Sequence, residues 1–258
     1  PSLWPQTIRA LMVHSADWTP QMKLHFNVSK SSGRRGLLRS CGYGVPSLER
    51  ALWSTRSDLT LIAESEIQPY HKQKSRGKMR DIHFHELPWP LVQLRDLGET
   101  NVELSVTLSY FIEPSPGKRG WAYKHRYASH GLRFEVCVGT ESPTEFRRRL
   151  SHLAQEEEST IKVDKPADSG WFLGADLRKT GSVHSDRWTG LASDLAERGL
   201  IGVYPVMGWW RERLDLNRVE KSTRYALVVS IRCLEDVDVD LYSPVMTQIS
   251  LGIGLESS

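Results

Sequence analysis

His83 and His85 stand two apart in Asp81-Ile-His-Phe-His-Glu-Leu87, and on a strand that spacing turns both imidazoles to one face. Two rings on one face can hold a metal ion, and His71 lies upstream in a basic stretch. No third ligand stands at an obvious spacing, so the pair reads as packed or exposed strand histidines, and no metal or other cofactor is expected. Ser129-His130 and the run Gly181-Ser-Val-His-Ser-Asp-Arg-Trp188 combine hydroxyls with imidazoles, the second with an acid as well. Nucleophilic catalysis needs a base within hydrogen-bond reach of a hydroxyl and a third group to orient that base, which adjacency in sequence does not supply. Both runs read as polar residues of turns and strand edges.

Gly139-Thr-Glu-Ser142 looks at first like a serine nucleophile turn. The continuation Ser142-Pro-Thr-Glu145 makes it a capping box, with the hydroxyl accepting from the Glu145 amide and the carboxylate reaching back to the Ser142 amide. Nine tryptophans, among them Trp89, Trp121, Trp171, Trp188, Trp209 and Trp210, could form a platform for sugar rings or a peptide. Packed sheets favour the same bulky residue, and Gly208-Trp-Trp-Arg211 reads as a strand end with one indole inward. The tryptophans are therefore assigned to core or interface.

These residues need a scaffold, and 258 residues suffice for about two folding units. No apolar run approaches the ~18 residues that cross a bilayer, and Pro1 to Ala16 lacks the pattern of a signal peptide. Cys41, Cys137 and Cys233 are too few and too scattered for a disulfide framework or a zinc site, which favours a cytoplasmic, reducing setting. The net charge of +3 is mild, and the basic clusters at Lys30 to Arg39, His71 to Arg80, Lys118 to Arg126 and Arg147 to Arg149 read as solvated loops and one helix face. Neither nucleic acid nor membrane is an expected partner.

Helical spacing of Ile8, Leu11, Met12 and Ser15 after Pro5 predicts a helix over Pro5 to Ala16. A polar loop is expected from Asp17 to Ser40, then a turn at Cys41-Gly-Tyr-Gly44 and a short helix from Pro46 to Leu52. After Ser54 the period changes to two, at Leu59 to Ala63, Asp81 to Leu87, Val102 to Ile112 and Leu132 to Val138, then at Gly170 to Leu173, Ser182 to Trp188, Leu200 to Val206 and Tyr225 to Arg232. One helix, from Pro143 to about Glu157, interrupts the strands. The expected fold is mostly β, an antiparallel sandwich of jelly-roll type over 55–258, preceded by a helical unit over 1–54.

The order of the first helix Trp4-Pro-Gln-Thr-Ile-Arg-Ala-Leu-Met-Val-His-Ser-Ala16, a loop, and Gly42-Tyr-Gly-Val-Pro-Ser-Leu-Glu-Arg-Ala-Leu52 resembles the last part of a subtilisin-like serine peptidase domain. Leu87-Pro-Trp-Pro90, Val106 to Pro114, Tyr127 to Phe134 and Gly208-Trp-Trp210 resemble the C-terminal extension of a bacterial subfamily of these peptidases. The resemblance implies proteolysis in an intact protein, a catalytic domain encoded upstream and a protein or peptide substrate. The family's Gly-Thr-Ser-x-Ala turn occurs nowhere in the sequence, nor do its Asp and His motifs, and His14 matches no triad position. No catalytic residue carries over, so the chain by itself is expected to be inactive. The other reading is a binding module whose sandwich recognises protein or carbohydrate.

Overall fold

The computed structural model describes residues 2–52, 58–116, 127–156, 168 and 170–235. Helices α1 (Pro5–His14), α2 (Pro20–Phe26), α3 (Ser31–Cys41) and α4 (Leu48–Leu52) come first. Then follow β1 (Asp58–Ile67), β2 (Tyr70–Gln73), β3 (Arg76–Met79), β4 (His83–Glu86), α5 (Leu91–Leu97), β5 (Asn101–Tyr110), β6 (Gly131–Val136) and α6 (Pro143–Glu156). The order ends with α7 (Ala175–Arg178), β7 (Val183–Leu191), α8 (Ala192–Ala196), β8 (Leu200–Val206), α9 (Trp209–Glu212) and β9 (Thr223–Cys233).

All the strand pairs are antiparallel: β1-β9-β5-β7 form one sheet, β4-β8-β6 another, and β2-β3 a separate hairpin. From β4 onward each strand lies in the opposite sheet from the one before it. Alternation gives each sheet an apolar face, and these faces meet: Leu104, Val106, Leu108, Leu227 and Val229 pack with Leu132, Phe134, Val136, Ile201 and Val203. The smaller sheet's other face sets Phe84 and Tyr204 against Phe146, Leu150 and Leu153 of α6. Covered on both sides, β8 is buried along its whole length, which accounts for its nearly unbroken apolar run. Pro205 is tolerated in this middle strand because β4 pairs only with residues 200–203 of β8.

The larger sheet's outer face carries α1, giving a stack of helix, sheet, sheet, helix. Ala10 packs on Ala226 and Val228, and polar contacts supply the rest. Thr7 donates to Glu64, Arg9 donates to Ser109 at 2.9 Å, and His14 lies 2.9 Å from the Thr107 hydroxyl and 2.8 Å from that of Ser230. Ile8 and Met12 point outward while Leu11 packs beside Ala10 and Ser15 is buried, so the stripe seen in the sequence is split between the free and the sheet side of the helix.

Three expectations are corrected. Asp17 to Ser40 is not a loop: the Thr19 hydroxyl caps α2 by accepting from the Met22 amide at 3.3 Å, Pro20 fills the first turn, and Asn27 ends it in the left-handed region. Helix α3, with two glycines, has little propensity and is held by packing of Leu37 on Trp18, Leu173 and Leu177. Gly33 permits the close crossing, since a Cβ there would fall on the Phe26 carbonyl oxygen. Gly170 to Leu173 forms a single bridge, Trp171 to Trp188, because the Asp186 carboxylate takes the Leu173 and Gly174 amides at 2.8 Å. Gly208-Trp-Trp-Arg211 is not a strand end but the start of α9, with the Trp209 and Trp210 amides donating to the carbonyls of Ala128 and Ser129. The domain boundary expected near Thr55 falls on residues outside the described ones, as do Trp121 and the basic cluster at 118–126.

The capping box is present. The Ser142 amide donates to the Glu145 carboxylate at 2.8 Å, and the Glu145 amide donates to the Ser142 hydroxyl at 3.3 Å. Ser142→Ala is expected to fray the first turn of α6 and lower the melting temperature by about 3 °C, read by circular dichroism.

Candidate functional site

The hydroxyl and imidazole pairs flagged in the sequence are placed in the core. His130 Nδ1 lies 2.9 Å from Ser129 Oγ, which also accepts from the Glu113 amide at 2.9 Å. Both residues are at most 1% exposed, and the imidazole is packed between Tyr110 and Trp210. Burial, aided by Lys221, pulls it down to about 3, and its Nε2 has no hydrogen-bond partner among the described residues. Among the described residues no carboxylate orients the ring, and both side chains are closed off from solvent. The second cluster disperses: His184 meets the Tyr110 hydroxyl at 3.2 Å, Ser185 turns to Thr107 at 2.7 Å, and Asp186 holds backbone amides beside Arg178.

His83 and His85 do share a face. Both rings point into the sandwich and meet at the phenol oxygen of Tyr225, each at 2.8 Å. Burial, with the neighbouring His83, lowers His85 to about 4, and burial also lowers His83 against the pull of Asp81. His71 lies apart from them on β2. Among the described residues no three His, Cys, Asp or Glu side chains are placed to hold a metal ion. Trp89, Trp188, Trp209 and Trp210 are at most 3% exposed and Trp171 packs on the core, so these indoles offer no open platform.

One surface available to a partner is built by α1 to α4. Leu3, Ile8 and Met12 lie free along α1, and Val45 and Leu48, the latter 74% exposed, extend the apolar surface beside α4. The two helices are joined by the Asp17–Val45 bridge and by the Ser47 amide, which donates to the Ser15 hydroxyl at 3.3 Å. Asp17 gathers Arg187 at 2.9 Å, Lys23 at 3.4 Å and Arg50 at 3.5 Å. Burial raises its carboxyl, but the three cations outweigh that and leave it below the usual carboxylate range. Beyond α3 an open cavity of about 600 Å³ runs between Arg35, Arg39 and Tyr43 on one wall and Leu177, Thr180 and Ser182 on the other.

No family model matches the chain, and no curated protein or solved structure does either. The surface must therefore be read on its own chemistry. Its members Ile8 and Met12 were visible in the helical spacing, but nothing in the sequence showed that Thr7, Ala10, Leu11 and His14 would turn to the sheet instead. Among the described residues no helix is long and apolar enough to cross a membrane.

Proposed function

We propose that this chain is the non-catalytic C-terminal portion of a subtilisin-like serine endopeptidase, docking through α1 and α4 onto a catalytic domain encoded upstream. The reading rests on the resemblance carried by Trp4 to Leu52, and one observation supports it: Ile8, Met12, Val45 and Leu48 are exposed on the very elements that resemble the end of a peptidase core. An apolar patch on a folded domain is a surface meant to be covered. The antiparallel β-sandwich then braces the catalytic body or recognises its substrate. In this reading the triad chemistry is assigned to the upstream part, in keeping with the structural hydrogen bonds that Ser129, Ser182 and Ser142 make here.

Labelling with a serine-directed fluorophosphonate tests this on two proteins, the chain alone and a version extended upstream in the same frame. The extended protein is expected to label and the short chain not. In the extended protein Met12→Asp with Leu48→Asp is expected to lower the labelling rate at least tenfold while the short chain keeps its melting temperature. Labelling of the short chain, or an upstream frame with no reactive serine, overturns the reading. In the second case the cavity lined by Arg35 and Arg39, with Asp176 on its other wall, favours a binding module for a peptide.

A further inference from the structure

Tyr225 draws the two strand histidines to one point. His83 Nδ1 and His85 Nε2 each stand 2.8 Å from its phenol oxygen, and Ser65 Oγ lies 3.4 Å from His83 Nδ1. The four side chains come from three strands: β1 and β4 are the outermost strands of the two sheets, and β9 pairs with β1 so that Ser65 and Tyr225 are directly opposed. The cluster therefore lies in the seam between the sheets, with His83 and Ser65, both half-buried, on its outer side.

Ligands bound to one first-row ion at about 2.0–2.1 Å stand about 2.8–3.4 Å apart, the lower value for square angles and the upper for tetrahedral ones. Both nitrogen-to-oxygen separations fall at the square end of that range. We propose that His83, His85 and Tyr225 form a binding site for a divalent first-row transition ion, with the Ser65 hydroxyl or a solvent molecule available as a fourth ligand.

The donor chemistry fits such an ion. A neutral imidazole has a lone pair to give, and imidazole suits copper and zinc. A phenol has one proton: it donates to one imidazole and accepts from the N–H of the other, which satisfies the cluster without an ion. When the ion binds, the bond from the metal to Tyr225 Oη forms as the O–H bond breaks and the proton leaves to solvent. One proton is released per ion, and affinity should rise about tenfold per pH unit around neutrality. The site does not depend on the peptidase reading, for none of these residues lies on α1 to α4.

Titration of the whole chain with copper(II) tests it. One tight equivalent is expected, with a visible phenolate-to-copper charge-transfer band that excess EDTA bleaches by removing the copper. Tyr225→Phe should abolish the band and weaken binding at least tenfold, and His83→Gln, at a half-buried position, should weaken it similarly with the far-UV spectrum unchanged. His25→Gln with His152→Gln removes two exposed imidazoles and should leave the tight equivalent intact. Absence of the band, or Tyr225→Phe and His83→Gln both binding as tightly as the parent, overturns the proposal and leaves the cluster as a polar tie between the sheets.

Discussion

Acidification from pH 7 to pH 5 is expected to unfold the protein, with the loss starting near pH 6.5. His14, His85, His130 and His184 are held neutral, chiefly by burial, with values of about 3 for His14 and His130 and about 4 for His85 and His184. Arg187 and Arg50 push His14 down further. In the unfolded chain each ring takes a proton near pH 6.5, whereas the folded protein refuses it until pH 4 or 3. Between those limits the unfolded state binds more protons, so stability falls as pH falls, by about 1.4 kcal/mol per unit for each ring. Four rings together remove about 5 kcal/mol per unit, against a total stability of about 5–15 kcal/mol. Urea unfolding at pH 7, 6 and 5, followed by circular dichroism, reads the slope directly. Equal midpoints at pH 7 and 5 would show that these rings are not held neutral.

The second large effect is expected at Arg178. Its guanidinium lies 3.3 Å from the Glu135 carboxylate and 3.6 Å from that of Asp186, donates to the Phe134 carbonyl at 3.4 Å and stacks over the rings of Phe134 and Trp171. The Asp186 side chain has no exposed surface, and burial already raises its carboxyl against the pull of Arg178. Arg178→Ala leaves that charge without its partner, and removing one member of a buried pair costs about 3–5 kcal/mol. It also uncovers a carbonyl on β6, the outer strand of the smaller sheet, where Arg149 likewise donates to the Val136 carbonyl at 3.3 Å. Lys179→Ala, which breaks an exposed pair with Asp176, is expected to cost less than about 0.5 kcal/mol. Unfolding midpoints in urea distinguish the two, and equal losses would refute the argument from burial.

The strands were legible because a sheet with one face in the core imposes a period of two, as at Val102 to Ile112 and Tyr225 to Arg232. Helix α6 was legible because Ser142 and Glu145 satisfy each other locally. Helix α3 was not, since its order comes from Leu37 meeting Leu173 and Leu177, more than a hundred residues away. The Thr19-Pro20 start and Asn27 stop of α2 were local signals that its basic, polar composition masked. For the two strand histidines, alternation gave the shared face, but their meeting point, Tyr225, is separated from His85 by 140 residues and left no local trace. Strand order and sheet pairing are likewise properties of long-range packing, so the partner of each strand became visible only in three dimensions.

The way α1 is seated has one more consequence. The sheet beneath it carries Thr107, Ser109, Ser185 and Ser230, hydroxyls that water could solvate as well as His14 and Arg9 do. The seat of the helix is therefore made largely of directed polar contacts, with Ala10 and Leu11 on Ala226 and Val228 as the apolar part.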